Sequence, residues 1–187
     1  MEVRATDIPG CHRVNVRVGT DDRGGFIKSF DKAQYRSFGL REDWQEEIHT
    51  SSRQGVIRGM HFQTPPAEHA KLLYCVAGEV LDVVVDLRRG SPTFGEHRAF
   101  VLQADRGDAL YVPSGLAHGF AARSKTAMMY YKITGPYAPA HDLGIAWDGF
   151  GFDWQVENPI LSERDRSHPT LADFQSPFVF HPGDPAR

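Results

Sequence analysis

Three residues with the right chemistry for moving a proton stand close together in this chain. His61 lies in Arg58-Gly-Met-His-Phe-Gln63, and Lys71 opens the apolar run Lys71-Leu-Leu-Tyr-Cys-Val76. Further on, Gly107 is followed by five residues and then Pro113-x-Gly115-x-x-His118. Imidazole titrates near neutrality and can take up a proton at physiological pH. An ammonium turned into a cavity needs an anionic partner, permanent or transient, and an enolate oxygen formed during a reaction would be one. A histidine beside such a cation suits removal of a carbon-bound proton better than redox chemistry. Taken singly, each residue has a plainer reading: a hydrogen-bonded structural histidine, and a solvated lysine at a strand end.

The elements that must hold these groups read as β-structure. Turn signals recur at Gly19–Gly25, Arg89–Pro92, Asp105–Gly107, Pro113–Gly115 and Gly135–Pro136. Between them lie short segments rich in β-branched and aromatic residues, Val80 to Leu87 being the clearest, the pattern of a sandwich or barrel. Other expected strands are Leu72 to Val76, Arg98 to Leu102, Ala109 to Val112, Gly119 to Ala122 and Ala127 to Thr134. Phe30 to Phe38 is expected to form a short amphipathic helix with Phe30 and Tyr35 inward, and Asp165 to Phe174 a second short helix or turn. Strand alternation puts Gln63 on the face of His61 and Arg58 on the other, unless Gly59 marks a bulge. Asp82 and Asp86 share a face of one strand, where solvation at an edge is the expectation.

At 187 residues and 41% hydrophobic, the chain suffices for one well-buried domain, its C-terminal tail from about residue 175 expected to run over the surface or end loose. A net charge of -3 argues against a bulk nucleic-acid binder. Two cysteines give neither a disulfide framework nor a zinc site, and Cys75 reads as a core residue. No apolar stretch approaches the roughly 18 residues of a membrane span, and the N-terminus lacks the apolar core of a signal peptide. A cytoplasmic setting is therefore expected, without membrane or nucleic-acid partners. The Gly24-Gly25 pair is not followed by a phosphate-loop or dinucleotide-binding pattern.

The spacing around His61 and His118 resembles the two signature segments of cupin barrels, with departures where metal ligands normally stand. Gln63 occupies the place of a ligand histidine, and Lys71 that of a ligand glutamate. An ammonium repels a divalent cation, so a metal-dependent oxygenase is disfavoured and neither metal nor cofactor is expected. The fold class expected is all-β: a cupin-type antiparallel jelly-roll barrel with a few short helices.

A more specific resemblance covers roughly residues 19 to 174. It is carried by Asp22-Arg-Gly24, Val56-Ile-Arg-Gly-Met-His-Phe-Gln63, Lys71-Leu-Leu-Tyr-Cys-Val-Ala-Gly-Glu-Val80 and Asp82-Val-Val-Val-Asp-Leu-Arg88. Ser91-Pro-Thr-Phe-Gly95, Val112-Pro-Ser-Gly-Leu-Ala-His-Gly-Phe120, Tyr131-Lys132, Tyr137-Ala-Pro139, Gly144-Ile-Ala-Trp147 and Pro159-Ile-Leu-Ser-Glu-Arg-Asp165 continue it in order. In these pieces the chain resembles the dTDP-4-dehydrorhamnose 3,5-epimerases, which act on nucleotide-linked 4-keto sugars. The resemblance implies a metal-free homodimer in which His61 is the base, paired with Asp165. Tyr131 would donate a proton to the opposite face of the sugar ring, with Tyr137 nearby, and Lys71 would stabilise the enolate. Arg58 and His118 match substrate-contacting positions, and Arg23 one lent across the dimer. Gln63, Asp142 and Arg164 complete the substrate-binding candidates.

Two positions depart from the family. Lys28 and Glu46 stand where typical members carry Glu and Gln at the nucleotide-base end. They are expected either to pair with each other or to mark a changed preference for base or sugar. Against a 3,5-epimerase stand a single-centre epimerase using a differently based nucleotide sugar, and a non-catalytic sugar-binding barrel. Which centre is inverted, which base is bound and which pathway is served are left open.

Overall fold

The run from Val80 to Leu87 is apolar at nearly every position, where a strand with one wet face would alternate. In the computed structural model, which describes residues 1–183, it forms a strand buried on both faces. In chain order the elements are β1 (Glu2–Ala5), β2 (His12–Asn15), β3 (Val18–Asp21), β4 (Gly24–Ile27), α1 (Lys32–Ser37), β5 (Glu46–Arg53) and β6 (Ile57–Gln63). There follow β7 (Lys71–Ala77), β8 (Glu79–Asp86), β9 (His97–Gln103), β10 (Asp108–Val112), β11 (Leu116–Ala122), β12 (Thr126–Ile133), β13 (Asp142–Gly144) and α2 (Glu163–Arg166).

One sheet runs β1-β2-β10-β7-β12-β5 and the other β13-β6-β11-β8-β9, while β3 and β4 form a separate hairpin. All strand pairings are antiparallel. The two sheets face each other over a shared apolar interior that includes Leu73, Val84, Leu110, Phe120, Met129 and Ile133. This is the cupin-type jelly-roll barrel expected from the sequence.

Both outer faces are covered too. Ile57, Met60, Leu81, Val83 and Val85 on the five-stranded sheet pack against Ile145, Trp154 and Phe178 from the C-terminal third. The outer face of the six-stranded sheet, with Val14, Leu72 and Tyr111, is covered by Tyr35 and Leu40. Helix α1 lies in the expected place, Asp31 capping it by accepting from Gln34 N at 3.2 Å. Phe30 and Tyr35 pack inward as expected, their ring centroids 4.9 Å apart.

Two expectations are corrected. The stretch beyond residue 175 is not a loose tail through residue 180: Phe178 is buried, and the backbones of Arg89 and Val179 form a parallel bridge. Burying Phe178 closes the sheet's outer face. Residues 184–187 lie outside the described residues. Asp82 and Asp86 are likewise not solvated but fully buried. Asp86 accepts from Arg88 Nε and Nη2 at 2.8 Å, from Ser91 at 2.6 Å and from Thr93 at 2.8 Å. Burial pushes its pKa up, but Arg88 and Ser91 outweigh that and hold it below the usual range. Asp82 points into the barrel beside His118.

Cys11 and Cys75 are both buried and unpaired, as core residues. Among the described residues no helix is long and apolar enough to cross a membrane.

Candidate active site

The sheet pairing settles the question of parity at Gly59. His61 lies opposite His118, whereas Arg58 lies opposite Phe120, so β6 carries one residue more than β11 between them. That bulge brings Arg58 onto the face of His61. Gly59 makes it possible, with φ +134°, and a Cβ there would come within 2.5 Å of Gly119 Cα.

A chamber of about 270 Å³ opens at this end of the barrel, lined by Arg58, His61, Lys71, His118, Tyr131 and Tyr137 among others. His61 comes from β6 in one sheet and Tyr131 from β12 in the other, so the two stand on opposing walls. A larger cleft of about 470 Å³ lies elsewhere, between Pro9, Arg88, Pro113 and Phe180. Its arginine is spent on Asp86 and on Pro9 O, and it holds none of the groups singled out from the sequence.

Behind His61 sits Asp165, nearly closed off from solvent. Its Oδ1 lies 2.7 Å from His61 Nε2, and its Oδ2 accepts from Gly59 N at 3.4 Å. Ser162 caps α2 by accepting from Asp165 N at 3.1 Å, which fixes the carboxylate's approach. Burial raises the carboxyl pKa, but the hydrogen bond and charge of His61 outweigh it, and the net shift is downward. An ionised Asp165 accepts a hydrogen bond from Nε2–H, which leaves Nδ1 as the ring's free basic atom.

Lys71 points inward and donates to His61 O at 3.2 Å. Burial lowers its pKa to about 8, against the opposing pull of Asp142 and Asp82. It is thus mostly a cation at neutral pH. His118 Nε2 lies 2.8 Å from Asp82 Oδ2, making a second imidazole–carboxylate pair. The His118 ring stands edge-on to Tyr131 at 6.0 Å. Burial, then the charge of Asp82, pushes the Tyr131 phenol well above its ordinary pKa, so it carries its proton throughout the working range.

The remaining candidates divide. Arg58 is held by Ser52 Oγ at 3.0 Å and Ser51 O at 3.2 Å, its guanidinium on the chamber's rim. Asp142 pairs with Arg164 at 2.8 Å and also raises the pKa of Tyr137, through its charge and a hydrogen bond. Gln63 lines the chamber, but its polar atoms are committed elsewhere. Its Oε1 accepts from Ala138 N at 2.6 Å, and its Nε2 serves Ala67 O, His69 and Pro136 O. It thereby clamps the 136–138 stretch against the chamber.

Arg23, Lys28 and Glu46 do not line the chamber. Arg23 sits exposed on the β3–β4 hairpin, paired with Asp21. Lys28 and Glu46 do not pair with each other: Lys28 bonds Asp31, and Glu46 accepts from Tyr137 N at 3.0 Å. Two histidines were not anticipated. His69 lines the chamber with its pKa lowered to about 3, by burial first and by Lys71 second. His168, three residues beyond Asp165, stands edge-on to His61 at 5.9 Å. Its spacing from the conspicuous Asp165 was the one available signal.

Comparison with known proteins bears on this arrangement. The family model for dTDP-4-dehydrorhamnose 3,5-epimerase matches residues 5–173. The dTDP-4-dehydrorhamnose 3,5-epimerase of Shigella flexneri is 38% identical over 168 residues, covering 88% of this chain and 93% of its own. A crystal structure of a dTDP-6-deoxy-D-glucose-3,5-epimerase from Legionella pneumophila, in complex with dTDP-4-keto-L-rhamnose, superposes with a TM-score of 0.91. It is 30% identical and covers 96% of this chain and 98% of its own. A 3'-monoepimerase from Streptomyces bikiniensis in complex with dTDP-quinovose is 33% identical with a TM-score of 0.84, covering 89% and 86%.

Proposed function

The chain belongs to the dTDP-4-dehydrorhamnose 3,5-epimerase family, and we propose that it works through His61, Asp165, Lys71 and Tyr131. It is an isomerase that epimerises a dTDP-linked 4-keto-6-deoxy sugar. In this reading the sugar enters the chamber with its C4 carbonyl toward Lys71. His61 Nδ1 removes the hydrogen from the carbon next to the ketone, and the electron pair moves to the carbonyl oxygen. Lys71 stabilises the resulting enolate from the chamber wall. Asp165 holds His61 in the competent tautomer and stabilises the imidazolium that forms. Tyr131 then gives its proton to the other face of that carbon, which inverts it.

The observation that carries this reading is the placement of His61 and Tyr131 on opposing sheets around one chamber. Mere binding of a sugar needs no such pair. The chamber's volume of about 270 Å³ is small for a whole nucleotide sugar. The diphosphate and base therefore extend outward past Arg58. We infer a homodimer in which the hairpin lends Arg23 to the diphosphate of the neighbouring site. Phe26 on that hairpin is 72% exposed, as an arm awaiting a partner surface would be. Two guanidinium groups suit a diphosphate through paired hydrogen bonds.

The reading is tested by incubating dTDP-4-keto-6-deoxyglucose with the protein in D2O. Deuterium is expected at C3, at C5 or at both, and its position names the inverted centres. Absence of exchange at either carbon would overturn the proposal. Light scattering gives the oligomeric state, and a monomer that turns over at full rate would remove the shared Arg23.

A further inference from the structure

His168 has no part in the proton transfers above, yet it is built tightly against them. Its Nε2 is buried and makes no hydrogen bond. Its ring fits because residue 144 is glycine: a Cβ there would come within 2.5 Å of that nitrogen. Ala146 N donates to Pro169 O at 2.7 Å, anchoring the segment that carries His168 to the strand end beyond β13. The ligand atoms of His61, Asp165 and His168 all lie within 4.8 Å of one another.

We propose that His61, Asp165 and His168 form a three-ligand site for a divalent ion of borderline softness, Zn2+ above all, and that filling it takes the epimerase's base out of service. Two imidazoles and a carboxylate are a donor set that zinc favours, with a water at the fourth position. Tetrahedral zinc at about 2.0–2.1 Å from each donor needs ligands roughly 3.4 Å apart, so the three donors, now within 4.8 Å, close on the ion by side-chain rotation. Two cations face the site: Arg164 is already paired with Asp142 at 2.8 Å, and the Lys71 ammonium is turned to His61 O at 3.2 Å, where Asp142 and Asp82 oppose its charge. The site differs from the metal position of cupin barrels, which Gln63 and Lys71 occupy here, because two of its ligands come from the segment after the barrel.

The consequence for catalysis follows from the proton count of imidazole. Neutral His61 carries one N–H, and Asp165 holds it on Nε2. A zinc ion bonded to the Nε2 lone pair moves that proton to Nδ1. The atom that accepts the substrate's hydrogen is then already protonated. Asp165 and neutral His168 give lone pairs, and the water completes the shell without any change of oxidation state. This inhibitory consequence rests on His61 being the base; the metal site itself does not.

The test uses the full chain without substrate. Co2+ is titrated in as a coloured substitute for zinc, and the visible absorption of a four-coordinate complex is followed. A band that Zn2+ abolishes is expected in the natural protein. In H168Q its half-saturation should move up by more than about tenfold, since losing even an outer partner of a metal ligand costs that much. H168A serves as the second variant, and circular dichroism establishes that each folds. No band in the natural protein, or one unchanged in both folded variants, would overturn the site. The inhibitory half is read separately, as loss of C–H exchange on adding Zn2+ and its recovery with a chelator. Full exchange at saturating zinc would refute it while leaving the metal site standing.

Discussion

Asp165→Asn keeps the shape of the dyad and removes its charge, which makes it the sharpest probe of the proposed mechanism. The carboxylate lies 2.7 Å from His61 Nε2, and its side chain is only 5% exposed, against 30% for His61. In the resting state it accepts a hydrogen bond from a neutral ring. In the transition state it faces a forming imidazolium, and only the difference between the two affects kcat. Two unit charges about 4 Å apart at an effective dielectric near 20 interact by about 4 kcal/mol. His61 is part-exposed, so water screens some of this, and a charge-assisted bond of about 1.5–3 kcal/mol is the better guide. Asparagine retains roughly 1 kcal/mol as a neutral partner, so the net loss is on the order of 0.5–2 kcal/mol. At 1.36 kcal/mol per decade, kcat should fall roughly 2- to 30-fold, with KM nearly unchanged because Asp165 stands behind His61. The cap on α2 uses Asp165 N and survives the change, so the melting temperature should move little. Steady-state turnover and solvent deuterium exchange both read the effect. A D165N enzyme indistinguishable from the natural one in both assays would refute the role given to Asp165.

Tyr131→Phe should still exchange substrate hydrogen through His61 yet invert the carbon at least about a hundredfold more slowly, the scale of losing a positioned acid; parallel loss of exchange and inversion would show that one group does both. Lys71→Met should lower kcat by about 10²–10³, as for other preorganised donors to an oxyanion. In the natural protein Lys71 is charged below about pH 8 and neutral above it, so kcat should decline as pH rises through about 8. That alkaline limb should be missing from the residual activity of K71M, and a limb of equal midpoint would exclude Lys71 as its source. Gly59→Ala forces a side chain against Gly119 at a φ of +134° and should destabilise the fold by several kcal/mol, seen as a large drop in melting temperature. An unchanged melting temperature would mean the bulge is not required.

The barrel was legible because its strands obey local rules. The apolar runs that became β7, β8, β10 and β12 were each bounded by turn residues. Strand β5 was not: Glu46-Glu-Ile-His-Thr-Ser-Ser-Arg53 is polar on an exposed sheet edge, and pairing with β12 alone fixes it. Gly59 was readable as a point where alternation fails, but only the register of β6 against β11 shows which way it fails. Asp82 and Asp86 misled for a different reason. Isolated carboxylates on a strand are usually wet, and what permits burial here is supplied by distant or later residues: His118 for one, Arg88, Ser91 and Thr93 for the other. His168 escaped notice for the same reason, since its proximity to His61 depends on how the chain returns after β13.

The polar groups around the chamber show why this barrel can carry proton chemistry. Lys71 places a fixed positive charge where a cupin would place its metal, at a burial cost that lowers its pKa to about 8. Asp82 and Asp142 offset that cost from two sides, and neither hydrogen-bonds the ammonium, which leaves it free to turn to a developing oxyanion. Had Lys71 formed a close ion pair with Asp82, its charge would be neutralised before the substrate arrived. His118 holds the carboxylate by Oδ2 at 2.8 Å, in an orientation whose other oxygen makes no hydrogen bond to the ammonium. His118 is then a positioning residue for Lys71 as much as a wall of the chamber. On this argument His118→Phe should free Asp82 to capture the ammonium, lowering kcat and moving the alkaline limb upward from about pH 8. A lower kcat with an unmoved limb would confine His118 to shaping the chamber.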